Sequence, residues 1–199
     1  GRVFNDNFDG YLADVHFIDG QALDPTSFGE YDSNNVWQPK EYSGTYGTNG
    51  FHLDFSNNSS AAALGEDSSG NRNDWTVNNI ATGTTTINSN SWSGYFRDDV
   101  GDHIQTPSSS QFGMGTGDWT VEGWFLTELA TTGLNVAWHI GTINTTNGMA
   151  GSVASDAVAF RSNGTTDISA AVSISGAWTH VAWVKSSGTV TIYVNGSSV

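Results

Sequence analysis

Residues 176–196, GAWTHVAWVKSSGTVTIYVNG, decide the fold class. Trp178 to Lys185 is rich in β-branched and aromatic residues, the composition of a strand. Ser186-Ser187-Gly188 supplies a turn in which Gly188 is free to take positive φ. Thr189 to Val194 then alternates: Val190, Ile192 and Val194 point one way, Thr191 and Tyr193 the other. Asn195-Gly196 is a second turn signal, of the kind that opens another hairpin. The pattern predicts a β-hairpin. The chain starts at Gly1 without Met and stops at Val199, just after that second turn. The expectation is a segment of a longer polypeptide.

Outward from the hairpin, the composition says the same. The 199 residues include 24 Gly but only 3 Pro, and no window of ten carries a good helical stripe. Ala61 to Leu64 is the one helix-like patch, and it is short. Eight Trp, ten Phe and six Tyr sit in short apolar runs between turn signals, which predicts an all-β sandwich or barrel. Six Lys plus Arg face twenty Asp plus Glu, a formal net charge of -14. Phosphate neutralisation needs clustered cations, so nucleic acid is excluded as a partner. Anionic membrane surfaces are disfavoured on the same ground, and no signal peptide or membrane span is present. Cations, neutral sugars and protein surfaces remain, with solubility the plainest role of the charge. The absence of Cys removes disulfides, a thiol nucleophile and thiolate metal sites.

In chain order, a strand is expected at Tyr11–Ile18, closed by a turn at Asp19-Gly20. Residues 26–50 form a connector with aromatic clusters around Trp37 and Tyr42. It is too aromatic for a free linker and is expected to pack along a domain surface. Further strands are expected at 51–55, 75–77, 95–96, 103–106, 119–126, 135–140, 157–160 and 168–174, with a loop at 81–90. Trp119, Val121 and Phe125 share one face of their strand; Glu122, Trp124 and Leu126 share the other.

The order of the pieces resembles the laminin-G-like, concanavalin A-like jelly-roll family. The residues that carry the resemblance are Asp67 to Asn73, Gly101 to Ile104, Gly115 to Trp124, Trp178 to Ala182, and Phe8 to Val15. The last of these is the family's closing element, and here it comes first. The resemblance implies an antiparallel β-sandwich jelly roll, incomplete at its C-terminus. Residues 1–50 would be the closing strand of a preceding module plus a connector, and 51–199 a truncated module. Tyr11–Ile18 is then expected to dock antiparallel beside Phe51–Phe55, with Ala13, Val15 and Phe17 facing a core shared with Val121 and Phe125. Residues 11–32 and 47–80 also resemble a cassette of tail-fibre and virion structural proteins of marine bacteriophages. That implies a virion protein made in a bacterial cytoplasm, with other virion proteins and a host-surface glycan or receptor as partners.

Candidate chemistry is sparse. The turn DSSGNRND at 67–74 clusters hard oxygen donors suited to Ca²⁺, with Asp67, Asn71 and Asn73 as ligands. The competing reading is a turn whose Asp and Asn cap their own backbone. The resemblance adds Asp14 as a further ligand. Asp98, Asp99 and Asp102 read as a solvated acidic turn. Glycoside hydrolysis needs paired carboxyls, and the E-x-D-x-E strand of the family's glucanases is absent; Glu122 stands alone. A non-enzyme is expected. Trp124 and Trp183 could share a sheet face and stack on a sugar, with Glu122 beside them. The competing reading buries both. The histidines at 16, 52, 103, 139 and 180 have no metal-site spacing and read as structural. The expected function is a non-catalytic structural or recognition module of a tail-fibre-like protein. The alternative is a lectin-like module of an extracellular bacterial adhesin or glycoside hydrolase.

Overall fold

Residues 119–126 are apolar on one side and mixed on the other, yet every one but Leu126 is buried. A strand buried on both faces lies between two layers, and this one does. The computed structural model describes residues 8–82, 93–97, 102–105, 114, 116–127, 135–141 and 148–199. Within them the strands are β1 (Gly10–Asp19), β2 (Gly29–Tyr31), β3 (Trp37–Pro39), β4 (Phe51–Leu53), β5 (Thr76–Asn78), β6 (Ala81–Thr82), β7 (Gly94–Phe96), β8 (His103–Gln105), β9 (Trp119–Leu126), β10 (Val136–Ile140), β11 (Met149–Val153), β12 (Ala157–Ser162), β13 (Thr165–Ala171), β14 (Thr179–Ser186), β15 (Thr189–Val194) and β16 (Ser197–Ser198). The large sheet runs β16-β15-β14-β9-β1-β7-β6, with β4 also paired to β1. A four-stranded sheet, β10-β11-β12-β13, lies against it; β2-β3 and β5-β8 are separate ribbons. Every strand pair is antiparallel. This is the all-β sandwich that the sequence predicts.

Turn chemistry sets the hairpins. Ser187-Gly188, Asn195-Gly196 and Asn163-Gly164 all have positive φ at both positions, the two-residue turn that matches strand twist. The helix-like patch is a single 3-10 turn, Ala62–Gly65. The strand at Met149–Val153 has a weak sequence signature, because its central residues, Ala150 to Ser152, are small. The reason is steric: a Cβ on Gly151 would stand 2.1 Å from the Trp138 indole nitrogen and 2.9 Å from the Trp183 ring. Small residues let the two indoles pass over this backbone.

The expected docking of β1 beside β4 is present, with Val15, His16 and Phe17 opposite Leu53, His52 and Phe51. β1 also pairs with β9 along its other edge, so it is a central strand. The expected facing of its side chains needs one correction. A bulge between Ala13 and His16 shifts the register. Asp14 there takes φ +51°, a left-handed conformation that Asp tolerates better than most residues. The extra residue reverses the phase, so Leu12 and Phe17 both face the inner core. Val15 packs there too, whereas Ala13 joins Trp37 and Trp124 on the outer face.

The inner core joins the two sheets through Trp119, Val121, Phe125, Val181, Trp183 and Ile192 on one side and Val153, Val158 and Phe160 on the other. The outer face of the large sheet is covered by the connector. Thr120 Oγ1 accepts from Leu23 N and donates to Gln21 O, at 2.9 and 3.0 Å. Tyr31 donates to the Asn195 carbonyl. Trp37 packs over His180 and onto Gly196, where a Cβ would collide with its ring. The aromatic content of the connector is therefore the lid of a second, smaller hydrophobic layer.

Candidate functional site

Register builds the site. His16 is opposite His52 on β4 and opposite Glu122 on β9, so the three form one row across three strands. His180, on β14, is opposite Trp124 and reaches Glu122 diagonally. The bulge brings Asp14 to the same row. His52 Nε2 and Asp14 Oδ1 are 2.6 Å apart, and His16 Nε2 stands 3.3 Å from the same oxygen. His16 Nε2 is also 3.5 Å from Glu122 Oε1, while Glu122 Oε2 is 2.7 Å from His180 Nε2. The His16 and His52 rings stack with centroids 3.9 Å apart. Tyr46, from the connector, lies nearly parallel to both rings with centroids 5.8 and 6.1 Å away, and its hydroxyl is 2.9 Å from His16 Nδ1.

The row runs from half-exposed to dry. The side chains of Asp14 and His52 are 25% and 19% exposed, those of Glu122 and His180 at most 1%. Burial pushes the Asp14 carboxyl up, but its bonds to His16 and His52 outweigh this and hold it far below the usual carboxylate range. Burial pulls His16 down, and His52 adds to the effect against the pull of Asp14. Burial, then His16, lowers His180 to about 3. Burial and the Asp14 charge push Glu122 well up. Burial, then the Asp14 charge, raises Tyr46, which keeps its proton; its hydroxyl stands 2.9 Å from His16 Nδ1. The inner end of the row is thus a neutral, proton-sharing Glu122–His180 pair, and the outer end an ionised aspartate against two imidazoles.

The sequence-predicted site residues fall in three places. Asp14 and Glu122 belong to this row. Trp124 and Trp183 do not share a face, contrary to the expectation: Trp183 is opposite Val121 in the inner core, whereas Trp124 is opposite His180 beneath the connector. Both are buried, so neither presents a ring to a sugar. The alternation was ambiguous because both faces of β9 and β14 are covered. Asp67, Asn71 and Asn73 sit in the 67–74 turn. Asp67 Oδ1 accepts from the N–H of His52 and Ser69, and Oδ2 from the Ser69 hydroxyl and the Asn73 N–H. Asn71 and Asn73 donate their amides to carbonyls of Gly47, Thr48 and Gly50. His52 links the two regions, its backbone to Asp67 and its ring to Asp14. The acidic turn is also different from the expectation: Asp102 is buried and ion-paired to Arg97 at 3.1 Å, while Asp98 and Asp99 lie outside the described residues.

The Asp67 geometry has a pH consequence. Burial raises its carboxyl, but the N–H groups of His52, Ser69 and Asn73 and the Ser69 hydroxyl lower it to a net value below 3.8. A depressed folded-state value stabilises the fold above the unfolded value and is lost as pH falls through the folded one. Asp67→Ala should cost about 1–3 kcal/mol at pH 7. The difference from the parent chain, followed by urea unfolding, should shrink as pH falls below 3.8. A difference that is constant with pH would contradict the capping role.

Three histidines of this row escaped the sequence reading. They come from positions 16, 52 and 180, and no short spacing announces them. A match to a family model described as the concanavalin A-like lectin/glucanases superfamily covers residues 98–199. The chain belongs to this superfamily. Comparison with curated proteins and with solved structures gave no match. The superfamily span contains Glu122 and His180, whereas Asp14, His16 and His52 lie before it. Membership in the superfamily is compatible with carbohydrate binding. Among the described residues no helix is long and apolar enough to cross a membrane.

Proposed function

We propose that the chain is a non-catalytic recognition module that takes neutral glycans on the surface beside Tyr46. The observation that carries this is a shallow, uncharged groove on a strongly acidic protein, lined by Thr45, Tyr46, Thr48, Ser69 and Asn71 between glycines. Hydroxyls, an amide and the half-buried Tyr46 ring, with Tyr42 packed edge-on against it, form a surface suited to sugar hydroxyls and a sugar face. Hydrolysis is disfavoured by the carboxyls. Glycosidases flank the scissile bond with two reachable carboxyl groups. Here Glu122 is 1% exposed and separated from Asp14 by His16, which leaves no room for a sugar ring between them.

An array of neutral glycans probed with the whole chain tests the reading. Binding should be weakened or lost in Thr48→Trp, which fills the groove from an exposed position and should leave the melting temperature unchanged. Undiminished binding by that variant would place recognition elsewhere, and absence of binding to any glycan would remove the reading. The setting in a tail-fibre-like virion protein rests on the sequence resemblance of residues 11–32 and 47–80 alone. The superfamily match supports recognition and does not bear on that setting.

A further inference from the structure

We infer that Asp14, His16 and His52, with Glu122 behind them, form a binding site for a divalent first-row transition cation of the zinc class. One ligand atom each of Asp14, His16 and His52 lies within 4.8 Å of the others. Around a tetrahedral ion with bonds of about 2.0–2.1 Å, neighbouring ligand atoms stand about 3.3 Å apart. The His16 Nε2 distances to Asp14 Oδ1 and to Glu122 Oε1, 3.3 and 3.5 Å, already have that spacing. The 2.6 Å contact of His52 with Asp14 is a hydrogen bond that the ion would replace, opening it by several tenths of an ångström.

The second observation is independent of the triad. Glu122 Oε1 is buried and has no hydrogen-bond partner, although its other oxygen is held by His180. A buried acceptor without a donor is costly, and native proteins rarely leave one without a purpose. This one is directed at His16 Nε2, the atom that would bind the ion. The remaining features follow the usual build of such sites. With the ion on Nε2, the proton of His16 lies on Nδ1, which donates to the Tyr46 hydroxyl 2.9 Å away and so fixes the ring orientation, as outer-shell partners of metal-bound histidines do. Two imidazoles and a single carboxylate select zinc-class ions over calcium, which takes six to eight oxygens. The site opens to solvent on the Asp14 and His52 side, which gives the ion an entry path. It draws on three residues before the superfamily span, so it is a feature of this chain's own N-terminal strands.

The test is calorimetric titration of the whole chain with Zn²⁺ and, separately, Ca²⁺, with thermal melts in parallel. One Zn²⁺ should bind per chain and raise the melting temperature by mass action, with no comparable effect of Ca²⁺. Co²⁺ in its place should give the intense visible absorption of a tetrahedral site. His52→Ala should abolish both the binding and the melting shift. Tyr46→Phe should weaken binding by about 10–100-fold. If His52→Ala does not fold in chelator, His52→Gln serves, since it keeps the volume and a polar tip. Absence of one-to-one Zn²⁺ binding, Zn²⁺ binding unchanged in the His52 variant, or a melting shift from Ca²⁺ alone would each overturn the assignment.

Discussion

Trp183→Ala is expected to destabilise the fold by about 3–5 kcal/mol, the range for truncating a fully buried large aromatic. Trp183 has no exposed surface and stands at the centre of the inner core, edge-on to Phe125 and Trp138 at 5.9 and 5.7 Å. Its indole N–H crosses between the sheets to the Ala159 carbonyl at 3.0 Å. The residue is therefore both filler and fastener. Trp183→Phe separates the two roles. It restores most of the volume but removes the indole bond to the Ala159 carbonyl that ties the two sheets, and should cost about 0.5–1.5 kcal/mol. Chemical unfolding at neutral pH measures both. Were Trp183 instead a ligand platform, Trp183→Ala would leave stability nearly unchanged, and that result would refute its placement.

The second large effect concerns Glu122 and His180. His180→Ala should cost about 3–5 kcal/mol, combining lost packing between the Trp37 and Trp124 rings with an orphaned buried carboxyl. Glu122→Gln should be mild, about 1 kcal/mol or less, because a pair that shares one proton is replaced by a neutral amide on a neutral imidazole. A charged pair would make that substitution as costly as deleting the histidine. The sign of the His180 pH dependence is fixed by its depressed value, about 3 in the fold against 6.5 as a free side chain. Between those values the unfolded chain holds the extra proton, so His180 contributes stability that is full above 6.5 and lost as pH falls toward 3. Glu122, shifted upward by burial, acts in the opposite sense and stabilises the fold as pH falls through its raised value. His180→Gln should accordingly be less sensitive to acid below pH 6.5 than the parent chain. Equal sensitivity in unfolding experiments across that range would count against a neutral His180.

Strands with bulky alternating residues were readable as strands. β9 spans Trp119–Leu126 and β15 spans Thr189–Val194, both as expected from their patterns. β11 was not readable, since in MAGSV only Val153 marks a strand and the central Gly151 is small because two tryptophans pass above it. The acidic turn was misread at Asp102, whose burial depends on Arg97 folding back over it. The lone Glu122 was readable as a hydrogen-bonded residue, but not its partners. They come from strands 58 and 106 residues away in the chain, at His180 and His16.

By itself, the sequence determined the all-β class of the fold and the hairpin at the C-terminal end, whereas the place of Tyr11–Ile18 beside Phe51–Phe55 was an expectation from the family resemblance. Class and hairpin depend on local periodicity and turn chemistry, which are properties of contiguous residues. Only the tertiary structure decided which face of β1 meets the core, that Trp124 and Trp183 lie on opposite faces, and that Asp14, His16, His52, Glu122 and His180 converge. The physical reason is register. One extra residue at Asp14 reverses the facing of everything beyond it, and a cross-strand row joins residues whose separation along the chain carries no signal.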